Sequence, residues 1–179
     1  MRTFGLLGIS LAFLFAACGG GGGGGSPTNP PPPTTPPGTA SFALAGAGYN
    51  NQGFGYSNSS GNLIFCRPNG ALWWVRLAAT MAGNGDAGPH IDIDLCNYNG
   101  SGVFAPMAPG AGCGAGRTWD IFWHDGPAAF VNQATSAPCQ LALTLTGSTL
   151  EGVFSCRGLQ EIGGNRNLDV VDGMFRCTV

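Results

Sequence analysis

The sequence predicts an all-β domain, an antiparallel β-sandwich or small barrel of about eight or nine short strands, stapled by disulfides. Three observations support this fold class. Beyond residue 38 the hydrophobic runs are short and alternate with polar residues, and no segment shows the 3.6-residue period of a helix. Gly, Asn and Pro interrupt these runs, as is typical of turns between strands. The chain also contains seven cysteines, a number typical of proteins that fold in an oxidising compartment.

Residues 1–17 have the features of a signal peptide. Arg2 precedes an uncharged apolar stretch from Phe4 to Phe15, which is too short to span a bilayer but has the length of a signal sequence. The stretch ends in Leu14, Phe15, Ala16, Ala17 and Cys18, which resembles the lipobox of bacterial lipoproteins. The resemblance implies cleavage before Cys18, acylation of Cys18 and anchoring in a membrane. An ordinary secretory signal with an unmodified cysteine is the alternative.

Residues 18–38 are predicted to be a tether. A run of glycines from Gly19 to Gly25 is flexible, and the segment from Ser26 to Gly38 is rich in Pro and Thr and forms a semi-rigid spacer. In the lipoproteins that the lipobox resembles, an Asp after the lipidated cysteine directs retention in the inner membrane. Gly19 occupies that position here, which favours the outer membrane. The folded domain then covers residues 39–179.

Nine segments of the domain have the composition and alternation of strands. They are Ser41–Ala45, Leu63–Cys66, Leu72–Met81, His90–Cys96, Thr118–His124, Ala128–Asn132, Gln140–Thr146, Thr149–Arg157 and Val170–Cys177.

The hairpin from Cys139 to Cys156 can be predicted in detail. If Gly147 and Ser148 form a tight turn, the leucines of the first strand face Leu150, Gly152 and Phe154 on one side of the hairpin. Cys139 then lies opposite Cys156, at a Cα separation of about 4.5 Å that a disulfide can bridge. The alternative is that a bulge shifts the register and each cysteine pairs elsewhere.

The remaining cysteines are expected to form two more disulfides. If Cys18 carries lipid, six cysteines remain, and none of them has the close spacing of a zinc site. The motifs Glu151-Gly-Val-Phe-Ser-Cys156 and Asp172-Gly-Met-Phe-Arg-Cys177 repeat one pattern, and we interpret them as two similar strands whose Phe and Cys face the core. If these strands form a hairpin, Cys156 and Cys177 lie at opposite ends of it. Cys177 is then left with Cys66, Cys96 or Cys113, and we favour Cys66 with Cys177 and Cys96 with Cys113.

Alternation along three strands indicates a candidate ligand patch. One side of these strands is apolar and carries Val75, Leu77, Ile91, Ile93, Trp119 and Ile121. The other side carries an aromatic and charged set. That set comprises Trp74, Arg76, His90, Asp92, Asp94, Phe122 and His124. If exposed, such a surface suits a glycan or an envelope protein. The alternative is that both faces of these strands are buried.

Composition excludes several functions. Seven basic residues, all Arg, against nine acidic ones give no field that attracts nucleic acid, and the absence of Lys excludes Schiff-base chemistry. No serine lies in a nucleophile elbow. The Gly83–Asp86 loop and the acidic strand face do not match a calcium loop, so we expect no metal and no cofactor.

The favoured function is a non-enzymatic envelope lipoprotein with a structural or ligand-binding role. The alternative is a secreted glycan hydrolase that uses Asp92 and Asp94 as its acid and base. The paired Phe-x-Cys strands after a lipobox and a Gly/Pro tether also resemble small uncharacterised lipoproteins of proteobacteria, a resemblance that implies no activity.

Overall fold

The computed structural model describes residues 38–58, 62–78, 88–133 and 138–179. These residues form eleven strands and no α-helix. In chain order, β1 to β11 are Thr39–Gly46, Tyr49–Ser57, Leu63–Asn69, Leu72–Ala78, His90–Cys96, Gly102–Pro106, Thr118–Asp125, Ala128–Val131, Cys139–Thr146, Thr149–Glu161 and Asn167–Thr178. Within these ranges, no helix has the length and the apolar composition that are needed to cross a membrane.

All eleven strands belong to one hydrogen-bonded sheet. Ten of them follow the order β2-β1-β11-β10-β9-β6-β7-β5-β4-β3, and β8 pairs with both β10 and β7. The pairings β10–β9–β6–β7–β8–β10 therefore close a five-stranded barrel, from which the outer strands extend. All pairings are antiparallel except the short one between β6 and β7. The predicted fold class, a disulfide-stapled all-β sandwich or small barrel, is confirmed.

A bend in β10 allows the barrel to close. The first part of β10 pairs with β9 as far as Cys156, and its end pairs with β8 at Gln160 and Glu161. Between these two parts the register with β11 shifts, and Gly158 has a φ of +69°. The Gly158 amide donates to Asp169 Oδ1 at 2.7 Å, which holds the bend against β11.

The core contains the alternate residues that the sequence placed inside. Ile91, Ile93, Ile121 and their neighbours on β4, β5 and β7 are fully buried. The ring of Trp123 is packed edge-on by Phe42 and Phe54 at centroid distances of 5.7 and 5.3 Å. Because the inner faces of these strands are apolar, their remaining side chains point outward as one set.

The Cys139–Cys156 hairpin has the predicted register. Leu145 faces Leu150, Leu143 faces Gly152, Leu141 faces Phe154 and Cys139 faces Cys156 across β9 and β10. Gly147, in the turn, has a φ of +58°, which a glycine adopts without strain.

The cysteines lie at bonding distance in the three pairs that we favoured. The pairs are Cys139–Cys156, Cys66–Cys177 and Cys96–Cys113, with Cα separations of 3.9, 5.9 and 5.3 Å. The Cys66–Cys177 pair connects β3 to β11, two strands that do not pair with each other in the sheet.

The repeated Gly-x-Phe motif is explained by the pairing of β10 with β11. Gly152 lies opposite Phe175, and Phe154 lies opposite Gly173. A Cβ on Gly152 would overlap the Phe175 ring, and a Cβ on Gly173 would overlap the Phe154 ring. Each glycine therefore makes room for the phenylalanine of the other strand.

The sequence does not predict two of the eleven strands. β2 (Tyr49–Ser57) is rich in Asn, Gln and Gly and lies at the edge of the sheet, where one face and one side remain in water. β6 (Gly102–Pro106) has only five residues and is bounded by Gly and Pro. Its strand geometry depends on distant partners, β9 and β7, rather than on its own pattern.

Candidate ligand-binding site

Three neighbouring strands bring the predicted patch together. β4, β5 and β7 pair in an unbroken antiparallel register, so that their outward side chains form rows across the sheet. The rows are Trp74–Asp94–Asp120, Arg76–Asp92–Phe122 and Ala78–His90–His124. All seven residues of the predicted patch lie on this surface, together with Asp120, which the sequence analysis left out of the patch. We call this surface the polar face.

An ion pair occupies the centre of the polar face. Arg76 Nε donates to Asp92 Oδ1 and Arg76 Nη2 donates to Asp92 Oδ2, both at 2.7 Å. Trp74 Nε1 also donates to Asp92 Oδ1, at 3.0 Å, and the Arg76 guanidinium lies 4.4 Å from the Trp74 ring centroid. Arg76 and Asp92 are only 8% and 9% exposed. Asp92 therefore accepts three hydrogen bonds, two at Oδ1 and one at Oδ2.

The two histidines of the chain lie against each other. The His90 and His124 rings stack with centroids 4.4 Å apart and an interplanar angle of 15°. His90 is 3% exposed, and its Nδ1 lies 2.7 Å from the Gly88 carbonyl oxygen. Its Nε2 lies 3.6 Å from Asp92 Oδ2.

Two carboxyl groups face each other in the next row. The pKa of Asp120 is raised to about 7, mainly by burial and secondly by the charge of Asp94 across the strands. The pKa of Asp94 is raised by burial and then by the charge of Asp92. Asp120 Oδ1 is buried and has no hydrogen-bond partner within the described part of the chain, which is costly for a charged carboxylate. Near neutral pH, Asp120 therefore holds a proton in a large fraction of molecules.

The polar face is buried at its centre and open along one side. Arg76, His90, Asp92 and Asp120 are buried, whereas the other members are partly exposed. The partly exposed members Trp74, Asp94, Phe122 and His124 line a shallow depression of about 280 Å3, to which Asp92, and Asn69 of β3, also contribute. Each of the two alternatives, an exposed patch and a buried one, thus describes part of the surface.

Strand β3 borders the depression with residues that the sequence analysis missed. Asn69, which lines the depression, follows Arg67 at the end of β3. The Arg67 guanidinium lies 4.4 Å from the Phe65 centroid and 5.3 Å from the Trp74 centroid. The register that pairs Arg67 with Trp74 places this cation beside the depression, and the Arg-x-Asn spacing after an apolar strand was the only local signal.

A second surface lies on the outer face of β6, β9, β10 and β11. Val103, Ala142, Val153 and Met174 pair in sequence across β6, β9, β10 and β11 and form one exposed apolar row. The sequence places Ala142 and Val153 on the outer face of the hairpin but gives no sign that β6 and β11 extend the row.

Comparisons with known proteins add no family. Neither the models of protein families, nor the curated proteins, nor the solved structures gave a match to this chain. Cys18, the tether up to residue 37 and the Gly83–Asp86 loop lie outside the described residues. The expectations for these segments therefore stay predictions.

Proposed function

We propose that this chain is a lipid-anchored, non-enzymatic binding protein of the bacterial envelope, and that the depression on its polar face binds a carbohydrate. The anchor is supported by the sequence: a charged residue, a short apolar stretch and a lipobox-like end at Cys18, followed by a Gly- and Pro-rich tether. Such a tether holds a domain at some distance from the lipid while leaving it free to turn.

The composition of the depression is the observation that carries the choice of ligand. Asn69 offers both donors and acceptors, and Asp94 offers acceptors, while Phe122 and Trp74 provide aromatic surface. Sugars present hydroxyl groups beside apolar C–H faces, so they match a site in which carboxylate, amide and aromatic groups alternate. The depression is shallow and open, which suits a segment of a longer glycan rather than an enclosed small molecule.

The hydrolase alternative finds less support in the geometry. Asp92 accepts three hydrogen bonds from Arg76 and Trp74, so it is poorly placed to exchange a proton with a substrate. Asp120, whose pKa of about 7 would suit a general acid, is 3% exposed. Binding without catalysis is the simpler use of these groups.

A glycan array probed with the full-length protein tests the ligand. We expect binding to a subset of envelope glycans, and we expect Asn69→Ala and Asp94→Asn each to weaken it by about tenfold, equivalent to about 1.4 kcal/mol. Asn165→Ala, an exposed asparagine in the loop between β10 and β11, is the matched control and should bind as the wild type does. Absence of binding to every glycan, or equal loss in the control, would contradict the proposal.

Mass spectrometry and cell fractionation test the anchor. We expect the mature protein to begin at Cys18 with acyl chains attached and to fractionate with membranes. Cys18→Ser should move the protein to the soluble fraction. An unmodified Cys18 in membrane-associated protein would show that the anchor is wrong.

A further inference from the structure

We propose that His90, His124 and Asp92 bind a divalent transition-metal ion of the zinc type. The nitrogen and oxygen atoms that these residues offer all lie within 4.8 Å of one another. The chain has only two histidines, and the fold places both on adjacent strands, directly opposite each other and beside the same aspartate. This departs from the expectation, drawn from the sequence alone, that the protein binds no metal.

The hydrogen bond to Gly88 orients His90 as a metal ligand. Nδ1 of His90 lies 2.7 Å from the Gly88 carbonyl oxygen, to which it donates, so Nε2 is the nitrogen that a neutral His90 offers to a metal. Nε2 lies 3.6 Å from Asp92 Oδ2, and both residues are buried, so a metal ion between them would replace the proton that Nε2 would otherwise carry. A cation between them would satisfy both. A backbone carbonyl that holds the second ring nitrogen is also the usual support of a metal-binding histidine.

Asp92 can bind a metal without releasing Arg76. A carboxylate oxygen carries two lone pairs, and Oδ2 of Asp92 uses one for the Arg76 Nη2 donor at 2.7 Å. Oδ2 is also the oxygen that lies 3.6 Å from His90 Nε2, so its second lone pair is available on that side. The hydrogen bonds from Arg76 and Trp74 fix the carboxylate in this orientation, as hydrogen-bonded carboxylates are fixed in established metal sites.

His124 supplies the movement that the site requires. In tetrahedral zinc sites with bonds of about 2.0–2.1 Å, neighbouring ligand atoms lie roughly 3.3–3.5 Å apart, so these three residues must approach somewhat further. The nearly parallel rings must also tilt for their nitrogens to converge on one ion. His90 is 3% exposed, whereas His124 is only partly buried, so a rotation of His124 displaces fewer packed neighbours.

The donor set selects the class of metal. Two imidazoles and one carboxylate suit Zn²⁺ and its neighbours in the first transition series, and three protein ligands leave a fourth position for water or for a bound molecule. Calcium is disfavoured, because it takes six to eight oxygen ligands. His124 also lines the depression proposed for carbohydrate, so an ion at this place would contact that depression.

Competition between the protein and a chromophoric chelator for Zn²⁺ tests the site. The full-length chain, purified without a polyhistidine tag, is expected to bind one Zn²⁺ per molecule. His124→Gln and His90→Gln should each weaken binding by at least about tenfold. Glu151→Gln, which replaces an exposed carboxylate on β10, is the control and should bind as the wild type does.

Substitution with Co²⁺ adds a measurement on the unaltered protein. We expect visible absorption bands of tetrahedral Co²⁺ in the wild type and their loss in His124→Gln, whose fold is checked by circular dichroism. Failure of the wild type to bind either ion would overturn the proposal, and so would binding that His124→Gln leaves unchanged. The experiment needs no carbohydrate, so its outcome is separate from that of the glycan array.

Discussion

The replacement Asp120→Asn should remove a loss of stability that the wild type suffers as the pH rises. Asp120 has a pKa of about 7 in the folded protein against an ordinary value of 3.8, first because it is buried and then because Asp94 lies opposite it. A carboxyl group whose pKa is raised by folding binds its proton more tightly in the folded chain. Its contribution is therefore most favourable below pH 3.8, declines as the pH rises toward 7, and levels off above 7.

The size of this decline follows from the two pKa values. A tenfold difference in proton affinity between folded and unfolded chains corresponds to about 1.36 kcal/mol, so a pKa near 7 instead of 3.8 corresponds to about 4 kcal/mol as an upper limit. Asparagine has the same shape as a protonated aspartate and remains neutral. At pH 8 the variant should be more stable than the wild type by up to about 4 kcal/mol, whereas at pH 3 the two should be nearly equal.

Urea denaturation at several pH values between 3 and 8 measures this difference. The free energies of unfolding of Asp120→Asn and wild type should diverge through pH 4 to 7, with unchanged dependence on urea concentration. Asp172→Asn, which replaces an exposed carboxylate on β11, is the matched control and should follow the wild type. If Asp120→Asn and wild type lose stability in parallel as the pH rises, then the carboxyl group is charged at little cost and the reasoning is refuted.

Three further predictions concern the scaffold. Gly173→Ala places a methyl group against the Phe154 ring and should lower the free energy of unfolding by about 1–3 kcal/mol, measured by urea denaturation, whereas an unchanged midpoint would mean that the ring moves freely aside. Replacing both Cys66 and Cys177 by Ala opens a loop of 111 residues and should cost about 5 kcal/mol, measured in the same way under oxidising conditions; no effect would show that the bridge is absent. Asn132→Ala leaves two buried backbone groups without their partner and should cost about 2–4 kcal/mol, read as a fall in thermal midpoint that an exposed asparagine variant does not show.

The sequence predicted those parts of the fold that local pattern determines. The register of the hairpin from Cys139 to Cys156 followed from one tight turn, because Gly147 and Ser148 fix which residues lie opposite each other. The parallel contact between β6 and β7 did not follow from any such rule. Pro106 faces Trp119 only because distant strands close a barrel around them, and no neighbouring turn sets that pairing.

The same distinction separates the predicted and unpredicted parts of the polar face. Alternation within one strand shows that His90, Asp92 and Asp94 share a side, since that depends on neighbouring residues alone. It does not show which residue of β7 lies opposite His90. The long connection from β5 to β7 runs through β6 and the segment that contains Cys113, so its length sets no register. The histidine pair is therefore visible only in the structure.

The concentration of charge on the polar face bears on what this surface is for. Only 9% of the residues are of the charged types, yet the ionisable side chains Arg76, Asp92 and Asp120 are buried together with His90 on one face of the sheet. Burying a hydrogen-bonded ion pair contributes little to stability compared with apolar residues of the same volume, because desolvation offsets most of the attraction. The scaffold has other sources of stability in its three cysteine pairs and its aromatic core. A role in stability alone therefore accounts poorly for these groups. Recognition of a polar ligand or an ion accounts for them better, since groups that are fixed in place before the ligand arrives lower the entropic cost of binding.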